Sequence, residues 1–496
     1  MLVELRFDRD RSRRWMQHVV CTLVQHKFDV RVTWVETAAK KTPGLELLFD
    51  LERMLLRKGA AGGADPVSQE EIANGQEPDG AADIVIDLSN GGQKGATGGS
   101  RWLKPLYNGV PGEDGILGAV LSGDLPCIEI CDVARGDVVA RGMPSAENAA
   151  GLSGALDTTM ARTLTLLLAA LKGGISGQDV PVRTATRKPA SAAPHVLKGL
   201  ASHLVREIYR LCCYAPHWHV GWRFVDDEGV WQRGDLSGPA WKVIADPKVH
   251  FYADPFPVTW QGRTFVFVEE LDHRVGKGFI SAVEFGADGP KGLARPVLEE
   301  AWHLSYPLLL EHGGELWMVP ESMGNRDVAI YRCVDFPYRW ERSATLLSDV
   351  LLSDATITQH EGRYYLFGAL WDGAGGYSDT LAIFHAADLF GPWLPHDANP
   401  VLVDRYSTRP AGNFVRRNGQ LWRPIQDSTY GYGCGLVLAE VLELTPHTFR
   451  QRIHKDIRPG QFWPGRKLHT LNRAGRLEVI DGSRIQPKWT ALGGQA

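Results

Sequence analysis

The sequence lacks several features that mark whole classes of protein. Basic residues do not outnumber acidic ones, with 54 Lys and Arg against 58 Asp and Glu and a net charge of −4. We therefore expect no nucleic-acid partner, because such partners need clustered basic side chains. No stretch reaches the roughly 18 uncharged apolar residues of a membrane span, and the opening MLVELRFDRDRSRRW has no apolar signal-peptide core. We expect a soluble cytoplasmic protein, and peripheral contact with a membrane or glycolipid stays open.

Cysteine is scarce, and its spacing indicates no disulfide framework or metal site. The seven cysteines are an odd number. Cys127 and Cys131 lie four residues apart in a predicted strand, which is not a common metal-ligand spacing, and no second pair accompanies them. We expect buried free thiols in a reducing compartment, with neither a metal nor a cofactor.

Three regions of the chain differ in composition and in residue pattern. At 496 residues the chain is too long for one ordinary core. Residues 1–173 alternate strand and helix patterns, which predicts an α/β domain with a mostly parallel sheet. Residues 174–235 begin rich in Gly, Pro, Ala and Ser, and we interpret them as a linker and a connecting helix. Residues 236–490 change to strands, turns and tryptophans.

The first region predicts four strands and four helices. The predicted strands are VELRF, FDVRVTWV, ADIVIDLS and PCIEICDV, and the predicted helices are 15–25, LELLFDLERMLLR, a segment starting at GILGAVLSG, and 158–171. The glycine-rich NGGQKGATGG (90–99) does not match a phosphate-binding loop, and we interpret it as a mobile loop.

The third region repeats a hairpin centred on a glycine. Five such hairpins occur, with glycines 52, 48, 57 and 56 residues apart. They are WQGRTFVFVEE, EHGGELWMVPES, HEGRYYLFGAL, RRNGQLWRPIQD and NRAGRLEVIDG, centred on Gly262, Gly314, Gly362, Gly419 and Gly475. Five all-β units at this period predict a five-bladed β-propeller.

The repeat register places acidic residues at matching positions in different blades. Eight residues before the glycine stand Asp254, Tyr306 and Asp354, and seven residues after it stand Glu269, Glu321 and Gln426. The innermost strands of a propeller line its central channel, so equivalent positions converge there. Converging carboxyls repel one another when ionised, which raises one pKa and separates a general acid from a general base. The alternative is that Asp254-Pro255 and Arg409-Pro410 only mark turns at strand entries.

An ordered run of motifs in the third region resembles a known family. The motifs are ADPF (253–256), KGFI (277–280), HLSYP (303–307), PES (320–322), GPW (391–393), RPAG (409–412) and QD (426–427) followed by YG. Over about residues 236–490 the chain resembles the N-terminal domain of plant glucosamine inositolphosphorylceramide transferase and its bacterial relatives. That domain is in turn similar to the five-bladed propellers of arabinanase and β-xylosidase-type glycoside hydrolases.

The resemblance implies catalytic roles for three acids. Asp254 matches the first-blade Asp that serves as base in those hydrolases, Glu321 is the candidate acid, and Asp354 is the candidate that orients Glu321 or tunes its pKa. The candidate substrate-binding residues are Glu269, Ser305, Tyr306, Arg409, Gln426, Asp427 and His469. The second blade has Ser305-Tyr306-Pro307 where the hydrolases place an Asp, which disfavours hydrolysis of a simple glycoside.

The first region resembles a formyltransferase fold more faintly. The similarity rests on GILGAVLSGDLP (115–126) before a strand, and on an N-cap at Asp157-Thr158 before a long helix. Enzymes of that fold place an Asn and a His just before this segment, whereas this chain has Asn108 and no His between 27 and 194. The expected general acid–base group is missing, so we predict a degenerate relative with a binding or assembly role.

Two functions remain open from the sequence, and a third is disfavoured. The first is a carbohydrate-active enzyme that transfers a sugar or cleaves a glycosidic bond, with a sugar, nucleotide sugar or glycoconjugate as substrate. The second is a non-catalytic glycan- or glycolipid-binding module joined to an inactive formyltransferase-like domain. The third, live formyl transfer, is disfavoured by the missing histidine.

Overall fold

A computed structural model describes residues 1–37, 44–56, 61–73, 78–91, 100–145, 147, 149–173, 192–226, 228–463 and 465–489. Most of the glycine-rich loop and of the Gly/Pro-rich linker therefore lies outside the described residues. The chain forms two compact units. The first comprises Met1–Ala201 with Gly373–Gly376 and Leu402–Asp404, and the second comprises Ser202–Asp372, Tyr377–Val401 and Arg405–Ala496.

The first unit is built on a seven-stranded sheet. Its strands are β1 (Leu2–Asp8), β2 (Asp29–Val35), β3 (Ile84–Asp87), β4 (Arg101–Tyr107), β5 (Val110–Pro111), β6 (Ile128–Asp132) and β7 (Asp137–Gly142). The helices up to residue 212 are α1 (Arg14–Gln25), α2 (Leu45–Leu55), α3 (Gln69–Ala73), α4 (Gly112–Leu121), α5 (Gly151–Lys172) and α6 (Ala192–Cys212). The strand order is β2-β1-β3-β4-β6-β7, with β5 paired to β4.

The predicted mostly parallel sheet is corrected to a mixed one. Strands β2, β1, β3 and β4 pair in parallel, whereas β4 pairs antiparallel with β6, and β6 with β7. A tight turn containing Gly136, with φ of 73°, joins β6 to β7 and reverses the chain. The sheet does not decide the resemblance to formyltransferases, which stays a prediction.

Helix α5 begins seven residues before its predicted start at 158. The carboxylate of Glu52 on α2 accepts the backbone N–H groups of Leu152 (2.9 Å) and Ser153 (2.8 Å). A negative charge there satisfies the free N–H groups of the first turn and interacts favourably with the helix dipole. Asp157 therefore lies inside the helix and not at its N-cap.

The second unit is the predicted five-bladed propeller. The elements before and in the first blade are β8 (Cys213–Phe224), α7 (Val230–Arg233), β9 (Lys242–Val243), β10 (His250–Trp260), β11 (Arg263–Asp272), β12 (Lys277–Gly286), β13 (Gly289–Pro290) and β14 (Arg295–Leu298). The second blade has β15 (Ser305–His312), β16 (Glu315–Glu321), β17 (Asp327–Asp335) and β18 (Arg339–Ser348).

The remaining strands of the chain follow in sequence, and among them β23 belongs to the segment grouped with the first unit. They are β19 (Leu352–His360), β20 (Arg363–Leu370), β21 (Thr380–Ala386), β22 (Leu394–Pro395), β23 (Leu402–Val403), β24 (Val415–Arg417), β25 (Gln420–Asp427), β26 (Gly435–Leu444), β27 (Phe449–Ile457), β28 (Leu471–Ala474) and β29 (Leu477–Pro487). All five predicted glycines lie in hairpin turns between the first two strands of a blade, with φ between 56° and 81°. These left-handed values explain why glycine recurs there.

The ring is closed by strands from both ends of the propeller. The last sheet has the order β28-β29-β8-β9, so its outer two strands come from the start of the region and its inner two from the end. Strand β8 falls within residues 174–235, which we interpreted as linker and connecting helix, and the propeller sheet therefore begins at Cys213 and not at 236. The strand precedes the first glycine hairpin, so the repeat did not reveal it.

Across the described parts of both units, no helix combines the length and apolar character needed to cross a bilayer.

Candidate active site

Three innermost strands carry the same bulge. The pairing with the second strand of the blade breaks between Ala253 and Phe256, between Ser305 and Leu308, and between Ser353 and Thr356. Each break contains two residues, and the first of the two is Asp254, Tyr306 or Asp354, with φ of 48°, 45° and 55°. Left-handed backbone is costly for residues other than glycine and is concentrated at functional sites. The bulge thus gives the side chains counted eight before each glycine a shared backbone position.

Asp354 is the centre of a hydrogen-bonded group from three blades. Its carboxylate accepts the Nε–H of Arg409 (2.6 Å) and the Nε2–H of Gln426 (2.6 Å). Its backbone N–H donates to Oε2 of Glu321 (3.0 Å). Nη2 of Arg409 lies 4.0 Å from the same Glu321 oxygen. The four side chains therefore form one network.

Glu321 keeps its proton at pH values far above those at which carboxyl groups usually lose theirs. Burial raises the pKa of Glu321 to about 8, and the negative charge of Asp354 adds to the rise, while Arg409 opposes it. A protonated Glu321 donates to the Asp354 carboxylate, which explains why the hydrogen bond between the two also raises this pKa. At neutral pH the protonated form of Glu321 is therefore the favoured one.

Asp254 lies in a second buried acidic environment. Oδ1 accepts the hydroxyl hydrogen of Thr470 (2.9 Å), and the Asp254 backbone N–H donates to Asp481 (3.1 Å). Burial raises the pKa of Asp254 to about 7; His469 lowers this pKa, and the charges of Asp354 and other nearby carboxylates raise it further. The charge of Asp354 is thus one of the influences that keep this carboxyl protonated to a higher pH.

His469 lies between Asp254 and Asp481. Its Nδ1 is 2.6 Å from Oδ2 of Asp481, and its Nε2 is 3.6 Å from Oδ1 of Asp254. The ring stacks on Trp218 with centroids 4.0 Å apart and 10° between the planes. The edge of the ring faces Tyr432, at 5.1 Å and 89°. One face and both nitrogens of this imidazole thus have defined neighbours.

The group Asp254, His469 and Asp481 has the residue types of a metal site. One ligand-type atom from each lies within 4.8 Å of the others. However, Asp481 also accepts the backbone N–H groups of His469 and Thr470, each at 3.0 Å. Together with the Asp254 N–H, three backbone donors engage this carboxylate, so we interpret the group as a buried charged cluster and not as a metal site.

The remaining predicted binding residues occupy different surroundings. Oε1 of Glu269 lies 3.3 Å from Nε2 of His303. Burial lowers the pKa of His303, but the carboxylate of Glu269 outweighs this effect, and the pKa is raised to about 8. Ser305 is buried and pairs with Glu321 in the strand ladder. The hydroxyl of Tyr306 accepts the Gly412 N–H (2.7 Å) and also bonds with the Thr356 hydroxyl. Tyr306 of the second blade therefore bonds to residues of the third and fourth blades, and its hydroxyl is already engaged.

Asp427 is directed away from its neighbour Gln426. Successive residues of a strand project to opposite faces. The Asp427 carboxylate pairs with Arg458 and accepts the backbone N–H of Thr429 (2.7 Å), whereas Gln426 bonds to Asp354. The structure thus brings Gln426, and not Asp427, to the Asp354 network.

Sequence reasoning missed several residues of this site. They are Trp218, His303, Tyr432, Thr470 and Asp481. Tyr432 lies under the guanidinium of Arg409, 5.0 Å from its central carbon. Its place in the stretch after QD was a usable signal, because YG followed that motif. Asp481 stands immediately before Gly482, the fifth-blade member of the position that holds Glu321 in the second blade.

The propeller part of the chain is similar to known proteins. Residues 242–482 match the family model described as glucosamine inositolphosphorylceramide transferase 1, N-terminal. This match confirms the resemblance inferred from the motifs. The chain is 30% identical over 253 residues to glucosamine inositolphosphorylceramide transferase 1 of Arabidopsis thaliana, covering 48% of this chain and 32% of that protein. The protein of the same name from Oryza sativa subsp. japonica is 28% identical, with 48% and 34% covered. The chain thus spans about a third of the length of the curated relatives it matches.

Solved structures similar to the chain include glycoside hydrolases. A thermostable family-43 glycoside hydrolase gives a TM-score of 0.33 at 13% identity, covering 46% of this chain and 86% of that one. A family 117 glycoside hydrolase from Zobellia galactanivorans gives 0.34 at 11% identity, covering 53% and 90%. These scores support no inference about activity.

Proposed function

We propose that the propeller is a carbohydrate-active catalytic domain that transfers a sugar or cleaves a glycosidic bond. The observation that carries the proposal is the presence of two buried carboxyls with raised pKa values in distinct surroundings. Glu321, with a pKa of about 8, adjoins Asp354 and Arg409, and Asp254, with a pKa of about 7, adjoins His469. Chemistry at an anomeric carbon needs such an acid and base. The match to the N-terminal domain of a sugar transferase supports a sugar, nucleotide sugar or glycoconjugate as substrate.

Each side chain has a role in this proposal. Glu321 donates its proton to the leaving oxygen, and Asp254 accepts the proton of the attacking hydroxyl group or water molecule. Asp354, held by Arg409, favours the protonated form of Glu321 before the reaction. Oε1 of Gln426 is buried and has no hydrogen-bond partner within the described residues, so it is available to accept a sugar hydroxyl.

The proposal is tested by assaying the full chain with panels of nucleotide sugars and aryl glycosides. We expect turnover by the wild type, and a loss of about 10²- to 10⁴-fold in Glu321→Gln and Asp254→Asn, the usual scale of acid–base catalysis. Glu315→Gln is the matched control, because Glu315 begins the same strand β16 and pairs with Arg332 at the surface. Unchanged turnover in both site variants would remove the proposed roles.

The second candidate is a non-catalytic glycan- or glycolipid-binding module joined to an inactive formyltransferase-like domain. It is favoured by the engagement of the acids with protein donors: Asp354 with Arg409 and Gln426, and Asp254 with Thr470. In that case the wild type turns over no donor, and a sugar raises the melting temperature of the wild type more than that of the site variants.

A further inference from the structure

The ring closure of the propeller brings together a chain of charged groups from its first and last blades. Asp254 lies on β10 in the first blade, whereas Asp481 lies on β29 in the last. His469, just before β28, lies between their carboxylates, which are 3.6 Å from Nε2 and 2.6 Å from Nδ1. Any catalytic role of this chain of groups rests on the proposed function of Asp254 as a base.

Asp481 determines which nitrogen of His469 carries a proton. Its carboxylate is fully buried and faces the backbone N–H groups of Asp254, His469 and Thr470 at 3.0 to 3.1 Å. A protonated carboxyl would have to place its own O–H among these donors, so the ionised acceptor fits the site. Nδ1 of His469 lies 2.6 Å from this carboxylate without hydrogen-bond geometry, and a proton on Nδ1 removes the repulsion between its lone pair and the carboxylate oxygen.

With Nδ1 protonated, the imidazole is neutral or positively charged according to whether Nε2 also carries a proton. This nitrogen faces Asp254 at an ion-pair distance, in an interior that the stacked indole of Trp218 shields from water. Burial lowers the pKa of His469, but the negative charges of Asp481 and Asp254 outweigh this effect and raise it. An imidazolium between two carboxylates balances part of the negative charge of this interior.

We propose that His469 and Asp481 are positioning residues that keep Asp254 in its base form: Asp481 fixes the ring through Nδ1, and the protonated ring holds Asp254 as a carboxylate. Without the imidazolium, the negative charges of Asp354, Glu269 and Asp481 would act on Asp254 with less opposition, and its carboxyl would keep its proton to a higher pH. The base would then be unable to accept a proton from the attacking hydroxyl group.

Other charged and titratable groups also act on this pair. Those that affect Asp254 or His469 are Glu269 on β11, His303 just before β15, Asp354 on β19, Asp481 on β29, and Tyr432 between β25 and β26. The ammonium of Lys467 lies 5.8 Å from the rings of Trp218 and Tyr432. Three of these groups are carboxylates, so removal of the imidazolium leaves a net negative surrounding.

The first test needs no catalytic activity. NMR of the full chain with ¹⁵N-labelled histidine reports the protonation of each ring nitrogen, and the spectrum of His469→Gln assigns the His469 signals. We expect both His469 nitrogens to be protonated at pH 7 in the wild type. In Asp254→Asn, Nε2 should lose its proton at a pH lower by roughly one unit or more, because one of the two flanking charges is gone. A neutral ring at pH 7 in the wild type, or an unchanged titration in Asp254→Asn, would overturn the proposal.

The second test uses the pH dependence of kcat/KM. In His469→Gln we expect the acidic limb, which reports the base, to move to higher pH by roughly one unit, while the alkaline limb stays in place. His447→Gln is the control, since His447 also pairs with a carboxylate, Asp397, but is exposed. If kcat/KM fell by the same factor at every pH and both limbs of the pH profile stayed in place, the role of His469 would be purely structural and the proposal would be overturned. If the wild type turned over no donor, the proposed function would fail, while the NMR result would still decide the proton location.

Discussion

At the scale of single residues, burial of Glu321 has opposite consequences for stability and for chemistry. The fold favours the protonated form, because the pKa is raised from its usual 4.5 to about 8. The unfolded chain loses this proton near pH 4.5, so the unfavourable contribution of Glu321 to folding grows as pH rises from there to about 8. A residue suited to donate a proton is thus one that weakens the fold at neutral pH.

Glu321→Gln should therefore be more stable than the wild type at pH 8. Glutamine resembles the protonated acid and cannot ionise, so we expect a gain on the order of 1–3 kcal/mol in the free energy of unfolding at pH 8, and almost none at pH 4.5. Denaturant titrations at the two pH values measure this difference. The surface control Glu315→Gln should change the free energy of unfolding by less than about 0.5 kcal/mol at either pH. A destabilised Glu321→Gln at pH 8 would contradict the raised pKa of this group.

Counting along the repeat predicts only part of the candidate site. It identifies Asp254, Asp354 and Glu321, because each occupies a fixed distance from a hairpin glycine. It does not identify Asp481 or Tyr432. Asp481 lies one residue out of the counted register, and Tyr432 lies in a loop whose path depends on packing between blades. Such positions follow from tertiary structure and not from a local pattern.

At the scale of elements, the last blade depends on close packing around an indole ring. Trp463 is fully buried and lies against two glycines, Gly221 on β8 and Gly482 on β29. A methyl group added at Gly221 would lie 2.6 Å from ring carbons of Trp463, closer than real contacts allow. The two strands come from opposite ends of the propeller, so this contact belongs to the ring closure.

Gly221→Ala should destabilise the propeller by about 1–3 kcal/mol, because the new methyl group overpacks a buried contact. Gly460→Ala is the control, because a side chain there meets no atom within 4 Å. Thermal or denaturant unfolding followed by tryptophan fluorescence compares the two variants. Equal stability of Gly221→Ala and the wild type would show that the closure tolerates a shift of the Trp463 ring.

At the scale of the whole molecule, the two units differ in how well the sequence predicts them. Propeller blades are made of consecutive hairpins, so a local signal repeated five times predicts the architecture. The direction of a strand in the first sheet depends on distant partners, and there the prediction of a mostly parallel sheet was wrong. Strand β4 was missed because Pro105 interrupts its pattern, and α5 was misplaced because Glu52 caps it from another helix.

The first unit should transfer no formyl group from a reduced folate if it is a degenerate relative of formyltransferases. The prediction rests on the absence of histidine between residues 27 and 194, which leaves that fold without its usual acid–base group. Incubation of the full chain with a formylated reduced folate and a panel of amine acceptors measures the transfer directly. Transfer above the uncatalysed rate would contradict the prediction.

The pH dependence of kcat/KM on a sugar donor tests the assignment of base and acid most directly. Asp254 must be ionised to act as a base, so the rate should rise as pH increases through about 7. Glu321 must be protonated to act as an acid, so the rate should fall as pH increases through about 8. We expect a narrow bell with its maximum between these values. A maximum near pH 4 to 5, where unperturbed carboxyl groups titrate, would contradict the assignment.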